Sequence, residues 1–379
     1  MKIFLVIILL INFIQGFAFS QNKKKDPIEK AMQSAIQKNQ IPGGVVLITH
    51  KGETIYFKAF GHTMEKPLKE KTKDTSMYDL ASLTKLYTAT LIMKLHEAGL
   101  LDISKPVSNY IEAFQRPDKA SITIEQLLTH RSGLPAANKV AHYSTDHHAT
   151  ISHIATVKQK SAPSQKFIYS DLGPIVAGYL AELITGKTLN SLLKDYVFLP
   201  LELYQTFTFP SPRFFEHIAP SNLPDGKLIQ GRVHDPRAYA MGGLAGNAGI
   251  FSQALDVAKF AQLFLQNGVY NGKQYLSQQS IDRMTKASST LPVNEKRGIG
   301  FDIDTKYSSP RGDLFARTSF GHTGFTGTSV WIDPGTQTVV VLLCNSLHPS
   351  GKGNINVLRK KIGTLAAKMV MDPPSLKTS

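Results

Sequence analysis

Ser82 and Lys85 stand three residues apart at the start of an apolar stretch of the chain. After Lys85 the apolar residues recur at helical intervals, which predicts a buried helix whose first turn carries both side chains on one face. A serine hydroxyl needs a base within hydrogen-bond reach to act as a nucleophile, and a desolvated amine can serve. We therefore interpret Ser82 as the nucleophile of an acyl transfer and Lys85 as the group that takes its proton.

The same pair allows a purely structural interpretation. A serine at this place can cap the helix while the lysine points to water. A Ser-x-x-Lys pair also occurs by chance in many proteins. The chemical interpretation therefore depends on what the rest of the chain supplies.

A second candidate group lies at residues 167–173, just before a predicted helix at about 174–185. Tyr169 could present its phenol to Ser82 or Lys85 and carry a proton between them and a leaving group. Alternatively, Tyr169 belongs to the core and Asp171 is only the N-cap of the helix.

A third candidate group is the Gly- and Thr-rich stretch at residues 319–331, which leads into a predicted strand. Its glycines leave backbone exposed, and a peptide-like substrate can pair with such a strand edge. A backbone N–H from this stretch, together with that of Ser82, would form an oxyanion hole. His322 and Thr323 could hold a substrate carboxylate.

Three short motifs, taken in chain order, resemble those of the penicillin-binding-protein and serine β-lactamase superfamily. They are Ser82-x-x-Lys85, Tyr169-Ser170-Asp171 and His322-Thr323-Gly324. The segments 127–135 and 233–251 further resemble the branch of class C β-lactamases, low-molecular-weight penicillin-binding proteins and related esterases. The resemblance spans most of the chain after its first 20 residues.

The resemblance implies a role for each matching position. Ser82 would be the acylated nucleophile, Lys85 the base and Tyr169 the proton shuttle. The backbone N–H groups of Ser82 and Phe325 would form the oxyanion hole. The substrate-binding positions would be Asp171, His322, Thr323, Gly324 and Phe325.

Two positions depart from the commoner pattern of that superfamily. Asp171 stands where asparagine is commoner, and an aspartate near Lys85 would favour the charged form of that lysine. His322 stands where lysine is commoner. If a charged His322 holds a carboxylate, activity should fall as pH rises through its pKa. Both departures argue against efficient β-lactam hydrolysis more than against an acyl-enzyme.

Strand and helix patterns from both ends of the chain enclose a helical middle. A helix at 26–38 and a hairpin at 45–58 begin the pattern, and strands at 298–303, 329–332 and 338–344 with a helix at 355–371 complete it. We expect an α/β (α+β) fold, β-lactamase/transpeptidase-like by resemblance, with an antiparallel sheet flanked by helices. Within a domain at 21–371, the α/β lobe would take about 26–99 and 266–371, and an inserted helical lobe about 100–265.

The ends of the chain and its charge suggest a compartment. Residues 1–20 read as a cleaved signal peptide and residues 372–379 as a polar tail, so we expect a secreted protein, periplasmic or extracellular, with no stable membrane insertion afterwards. The formal net charge is +15, but the basic residues are scattered and no nucleic-acid motif accompanies them. The only cysteine, Cys344, excludes an intrachain disulfide.

Together these features predict an exported serine hydrolase that needs no cofactor or metal. The His-rich patch at 142–153 matches no metal-ligand spacing. The preferred substrates are D-amino-acid peptides of peptidoglycan, cleaved as by a D-alanyl-D-alanine carboxypeptidase. An esterase or a weak β-lactamase is the enzymatic alternative, and a non-catalytic binder of cell-wall peptides is the alternative of another class.

Overall fold

The computed structural model describes residues 26–287, 295–350 and 354–371. The predicted signal peptide and the predicted polar tail lie outside these residues. Within them, no helix combines the length and the apolar character that crossing a membrane requires.

The strands are short except at the centre of the main sheet. In chain order they are β1 (Gly43–His50), β2 (Glu53–Met64), β3 (Glu70–Lys71), β4 (Tyr78–Asp79), β5 (Thr206–Phe207), β6 (Ser221–Asn222), β7 (Leu228–Ile229), β8 (Phe251–Ser252), β9 (Val269–Tyr270), β10 (Lys273–Gln274), β11 (Lys296–Arg297), β12 (Asp302–Asp304), β13 (Phe320–Thr323), β14 (Ser329–Asp333) and β15 (Thr338–Cys344). Eight of them form an antiparallel sheet in the order β11-β12-β13-β14-β15-β1-β2-β3. Strands β1 and β15 come from opposite ends of the chain and pair with each other, so both ends contribute to one sheet.

The α-helices vary from one turn to four. They are α1 (Pro27–Gln37), α2 (Thr84–Glu97), α3 (Ile124–Leu128), α4 (His147–Thr156), α5 (Leu172–Thr185), α6 (Leu189–Leu193), α7 (Pro236–Ala240), α8 (Ala254–Leu265), α9 (Gln278–Thr285) and α10 (Asn356–Met371). The predicted helices at 26–38 and 355–371 and the predicted hairpin correspond to α1, α10 and the pair β1–β2. The expected antiparallel sheet flanked by helices is confirmed.

The central strands are buried on both faces. Val45 and Leu47 of β1 belong to a core with α8, whereas Val46 and Ile48 belong to a second core with α1 and α10. Helix α8 contacts β1, β14 and β15, although the predicted helical lobe reached residue 265. We therefore propose that this lobe ends before α8.

Helix α2 lies at the centre of the molecule. Nearly every residue from Thr84 to Leu95 is buried, and the helix packs against α5, α6 and the π-helical turn at Lys194–Phe198. A helix that is buried on all sides holds its first turn firmly. Ser82, in the 3₁₀ turn Ala81–Leu83, directly precedes it.

The predicted strand at 298–303 is wrong in its first half. Strand β11 ends at Arg297 and β12 begins at Asp302, with a tight connection between them. Gly300 has φ +82°, and a Cβ there would lie 2.7 Å from the Cβ of Ala89 on α2. The connection therefore packs against α2 too closely to continue as a strand.

Candidate active site

Ser82 lies on a strained turn. Ala81, just before it, adopts φ +48°, a left-handed conformation that is costly for a residue with a Cβ. The buried Asp79 stabilises this turn, because its Oδ1 accepts a hydrogen bond of 2.8 Å from the Ala81 N–H. Burial raises the pKa of Asp79 to about 6. The turn is thus fixed by a side chain that the sequence motifs did not include.

The segment after β13 holds the nucleophile turn from the other side. The Thr326 hydroxyl donates to the carbonyl of Asp79 at 2.7 Å, and the Thr328 hydroxyl donates to that of Leu80 at 3.1 Å. A Cβ at Gly324 would lie 2.5 Å from the Leu80 carbonyl oxygen, so only glycine permits this approach. The third motif and the segment after it therefore contact the turn that leads into Ser82.

Arg359 of α10 supports the same segment. Its guanidinium donates to the carbonyls of Gly324 (2.6 Å) and Thr328 (2.9 Å) and to Asn356 Oδ1 (3.1 Å). Burial lowers its pKa to about 10. Most of its donors are used within the protein.

The Lys85 ammonium is buried and makes three close polar contacts. It lies 2.8 Å from Ser82 Oγ, 2.8 Å from Asp171 Oδ1 and 3.2 Å from the carbonyl oxygen of Asn247. Burial lowers the pKa of Lys85, but the attraction of Asp171 and Tyr169 outweighs it and raises the net pKa above its ordinary value. This direction favours a charged Lys85 at neutral pH, as expected of an aspartate beside it, and the role of Lys85 as the base stays a prediction.

Tyr169 packs beside this cation. Its ring centroid lies 5.2 Å from Lys85 Nζ, and its ring contacts those of His130, Tyr307 and His322. Asp171 occupies the N-cap position of α5 but makes no capping hydrogen bond, because its carboxylate faces Lys85. The alternative in which Asp171 is only a helix cap does not describe these contacts.

The segment 127–135 positions the loop that carries Tyr169. His130 Nδ1 accepts a hydrogen bond from the Ser170 N–H at 3.1 Å, and the Ser170 hydroxyl donates to the Pro135 carbonyl at 2.6 Å. Burial lowers the pKa of His130 well below its usual value, so the neutral ring can accept this bond. Only the resemblance had drawn attention to this segment.

His322 is buried and uncharged. Its Nδ1 donates to the Thr323 carbonyl at 2.8 Å, whereas Nε2 has no hydrogen-bond partner among the described residues. Burial and the nearby cations Arg297 and Lys85 lower its pKa well below the usual value. This shift argues against a charged His322 at neutral pH and so against the pH dependence expected from it, while its place in the substrate-binding strand stays a prediction.

A cavity of about 290 Å³ opens beside Ser82. The predicted residues that line it are Ser82, Tyr169, His322, Thr323, Gly324 and Phe325. Lys85 and Asp171 do not line it; Lys85 contacts Ser82 and Asp171 pairs with Lys85. Residues that sequence reasoning missed also line it, namely Arg297, Asp302, Tyr307, Asn354, Asn356 and Arg359. The charges of Arg297 and Asp302, which flank an apolar run, were a signal that could have identified them.

The His-rich patch lies elsewhere and has ordinary partners. His147 Nδ1 lies 2.7 Å from Glu182 Oε2, and the rings of His142 and His153 stack at 3.7 Å. In the part of the chain that the structure describes, no three His, Cys, Asp or Glu side chains are placed to hold a metal ion.

Comparisons with known proteins identify the family and the fold. The family model described as "Beta-lactamase" matches residues 28–362. An "N-acetylmuramyl-L-alanine amidase" of Bacillus subtilis is 30% identical, covering 81% of this chain and 78% of the relative. A "Putative D-alanyl-D-alanine carboxypeptidase" of Escherichia coli K12 is 31% identical, covering 81% and 79%. The structure titled "A class C beta-lactamase" superposes with a TM-score of 0.74 at 17% identity, covering 95% and 99%.

Proposed function

This chain belongs to the β-lactamase family and is a serine hydrolase of that fold, and from this premise we propose that it hydrolyses D-amino-acid peptides of peptidoglycan. The observation that carries the proposal is the contact of 2.8 Å between Lys85 Nζ and Ser82 Oγ inside the cleft. The bond cleaved would be the terminal D-alanyl-D-alanine amide.

We propose that Ser82 Oγ attacks the scissile carbonyl while its proton passes to the Tyr169 oxygen. Lys85 keeps its charge, and this fixed cation beside Ser82 Oγ and the Tyr169 ring stabilises the negative charge that develops while the proton moves. The same oxygen then protonates the leaving amine, and an ester on Ser82 remains. Water attacks this acyl-enzyme by the reverse proton path, releasing the acid.

The backbone N–H groups of Ser82 and Phe325 remain the proposed oxyanion hole. Both residues line the same cavity. Gly324 lies against the Leu80 carbonyl, close to the nucleophile turn. Donors fixed in this way cost little reorganisation when charge develops on the substrate oxygen.

The substrate class is supported by the names of the relatives, two of which refer to peptidoglycan bonds. We propose that the protein meets this polymer after export directed by residues 1–20. An amidase that cleaves between the muramyl group and L-alanine is a second candidate, because the Bacillus subtilis relative with that name is matched over a similar share of the chain.

Digestion of a purified disaccharide pentapeptide, followed by mass spectrometry, separates the two candidates. The proposal predicts loss of one terminal alanine, whereas the amidase would release the intact peptide from the sugar. Ser82→Ala serves as the blank. Absence of both products, with turnover of simple esters or of penicillin, would replace the proposal with an esterase or a weak β-lactamase.

A further inference from the structure

The carboxylate of Asp79 lies between the nucleophile turn and the segment that leads into α7. Its side chain is 5% exposed. Oδ1 accepts a hydrogen bond from the Ala81 N–H and Oδ2 accepts one from the His234 N–H, both at 2.8 Å. Among the described residues no side-chain cation pairs with this carboxylate. Backbone donors from two distant parts of the chain therefore meet its charge.

The bond to Ala81 holds the strained approach to Ser82. A left-handed backbone costs free energy in a residue with a Cβ, so Ala81 at φ +48° must be held by its surroundings. The bond from its N–H to Asp79 fixes the peptide plane about which this φ is measured. The Ser82 N–H, one of the two proposed oxyanion donors, belongs to the next peptide unit. Its direction therefore depends on the bond to Asp79.

Two further contacts link Asp79 to the other proposed oxyanion donor, the Phe325 N–H. The ring of His234 lies against the ring of Phe325, with centroids 5.7 Å apart. The next residue, Thr326, donates its hydroxyl to the backbone carbonyl of Asp79 at 2.7 Å. Phe325 is 66% exposed, so its neighbours do more than its own side chain to fix its backbone.

We propose that Asp79 is a positioning residue that keeps the two oxyanion donors in register, and that it does so only as a carboxylate. It contacts neither the substrate nor the reacting atoms. Protonation would turn one of its acceptor oxygens into a donor that faces a backbone N–H, which weakens one of the two bonds. The inference rests on the oxyanion hole of the proposed function.

The charge of Asp79 makes the inference visible in a pH profile. Burial above all raises the pKa of Asp79 to about 6; the two N–H bonds lower it, and the Asp235 carboxylate raises it. Because only the ionised form holds both donors, kcat/KM should fall as pH decreases through about 6. The other titratable groups on the elements around Asp79 are Tyr78, Lys85, His234 and Cys344. Of these, His234 has an ordinary pKa close to this range, about 6.5, and so needs a control.

Hydrolysis of p-nitrophenyl acetate tests the inference, because this ester needs the oxyanion hole but no peptide contacts. At about pH 8, Asp79→Asn should lower kcat about 10- to 100-fold, the cost of a misplaced catalytic group. KM should stay within about threefold, because the oxyanion forms only in the transition state. Wild-type kcat in Asp79→Asn would overturn the inference.

A second buried aspartate serves as the matched control. Asp256 is 3% exposed and accepts from the Gln205 N–H and the Thr206 hydroxyl, neither of which belongs to the cavity lining. Asp256→Asn also removes a buried carboxylate, but it should keep the wild-type kcat. Equal losses of kcat in Asp79→Asn and Asp256→Asn would reduce Asp79 to a structural role and overturn the inference.

Three variants assign the acidic fall of kcat/KM. Asp79→Asn should remove it, and His234→Gln, which keeps the backbone N–H, should retain it. Asp235→Asn preserves an N-cap for α7 but removes a charge that raises the pKa of Asp79, so the fall should move to lower pH. This last variant decides the matter even if Asp79→Asn does not fold. A fall that persists in Asp79→Asn, or that does not move in Asp235→Asn, overturns the inference.

Digestion of the disaccharide pentapeptide tests the proposed function separately. Ester turnover that depends on Asp79, without cleavage of the peptide, would reject the proposed substrate and keep the positioning role. Peptide cleavage at the wild-type kcat in Asp79→Asn would reject the role of Asp79 and keep the function.

Discussion

Two pairs of opposite charge lie near Tyr169, each with a buried cation, and they are built differently. Lys85 and Asp171 meet at 2.8 Å, and the lysine also contacts a hydroxyl and a carbonyl. Arg297 and Asp302 are 3.6 Å apart, and atoms on both sides lack hydrogen-bond partners within the described residues. We call Lys85–Asp171, whose cation has three close polar contacts, the closed pair. We call Arg297–Asp302, which keeps unpaired atoms, the open pair.

The difference indicates what each pair can do. A closed pair fixes a charge in place, as a proton-transfer site requires, because its geometry is determined before the substrate arrives. In an open pair the attraction between the charges and the hydrogen bonds to them offset less of the free energy lost by removing them from water. The first pair therefore suits the proposed proton path, whereas the second is only partly satisfied within the described chain.

Removing the cation of the closed pair should have the largest effect. Lys85→Ala should lower kcat/KM about 10²- to 10³-fold, the range of a lost preorganised hydrogen-bond donor, because Ser82 loses its hydrogen-bond partner and the proposed proton path loses its fixed charge. Steady-state kinetics measures this. Lys94→Ala on the same helix, whose amine contacts the Tyr275 carbonyl instead, should stay near wild type. Equal effects of the two changes would contradict the assignment.

Removing the cation of the open pair should act strongly on stability. Arg297→Gln should lower the free energy of unfolding by about 3 kcal/mol, because Asp302 is left buried and unpaired. Urea unfolding measures this loss. Adding Asp302→Asn should recover most of it. If the double variant is as unstable as the single one, Arg297 stabilises the protein through its packing contacts and not through its ion pair with Asp302.

Removing the charge of Asp171 should shift the pH profile. In Asp171→Asn the burial of Lys85 is no longer offset by this carboxylate, so the pKa of Lys85 falls. The cation is then lost at lower pH, and the alkaline decline of kcat/KM should move down by about one unit or more. Asp195→Asn, which breaks an exposed pair with Lys187, should leave the profile unchanged. Higher activity at neutral pH in Asp171→Asn would instead support Lys85 as a free base.

The smallest effect concerns the uncharged His322. The pKa of His322 in the folded protein lies below the ordinary value of about 6.5. As pH falls, His322 is therefore protonated in the unfolded chain before it is protonated in the folded protein. Stability is therefore lost below about pH 6.5. Between pH 7.5 and 5.5 His322→Gln should lose about 1 kcal/mol less than wild type in urea unfolding. An identical loss of stability in both proteins would indicate that His322 is charged in the folded protein.

The sequence predicted the parts of the site that lie close together in the chain. Ser82 and Lys85 share one turn, and apolar periodicity located α1, β1, β2 and α10. Tyr169 and His322 were candidates from their own stretches, but only the motif resemblance assigned them to one site with Ser82, since nothing local indicates which distant residues meet.

What escaped prediction depends on tertiary contacts. Asn247 contributes a backbone carbonyl, which no side-chain pattern reveals. His130 acts across 40 residues on the Ser170 N–H. Asp302 lay inside the predicted strand at 298–303 and Arg297 just before it, because the close packing of Gly300 against Ala89 is invisible in the sequence. The neutrality of His322 likewise follows from burial.

Intact-mass analysis after exposure to penicillin tests the acyl-enzyme on Ser82 most directly. The wild-type protein should gain the mass of one penicillin, on the peptide that contains Ser82, and Ser82→Ala should gain none. The same samples with peptidoglycan peptides would separate an enzyme from a binder, because only the wild type should turn them over. An equal adduct or equal turnover in Ser82→Ala would contradict the account.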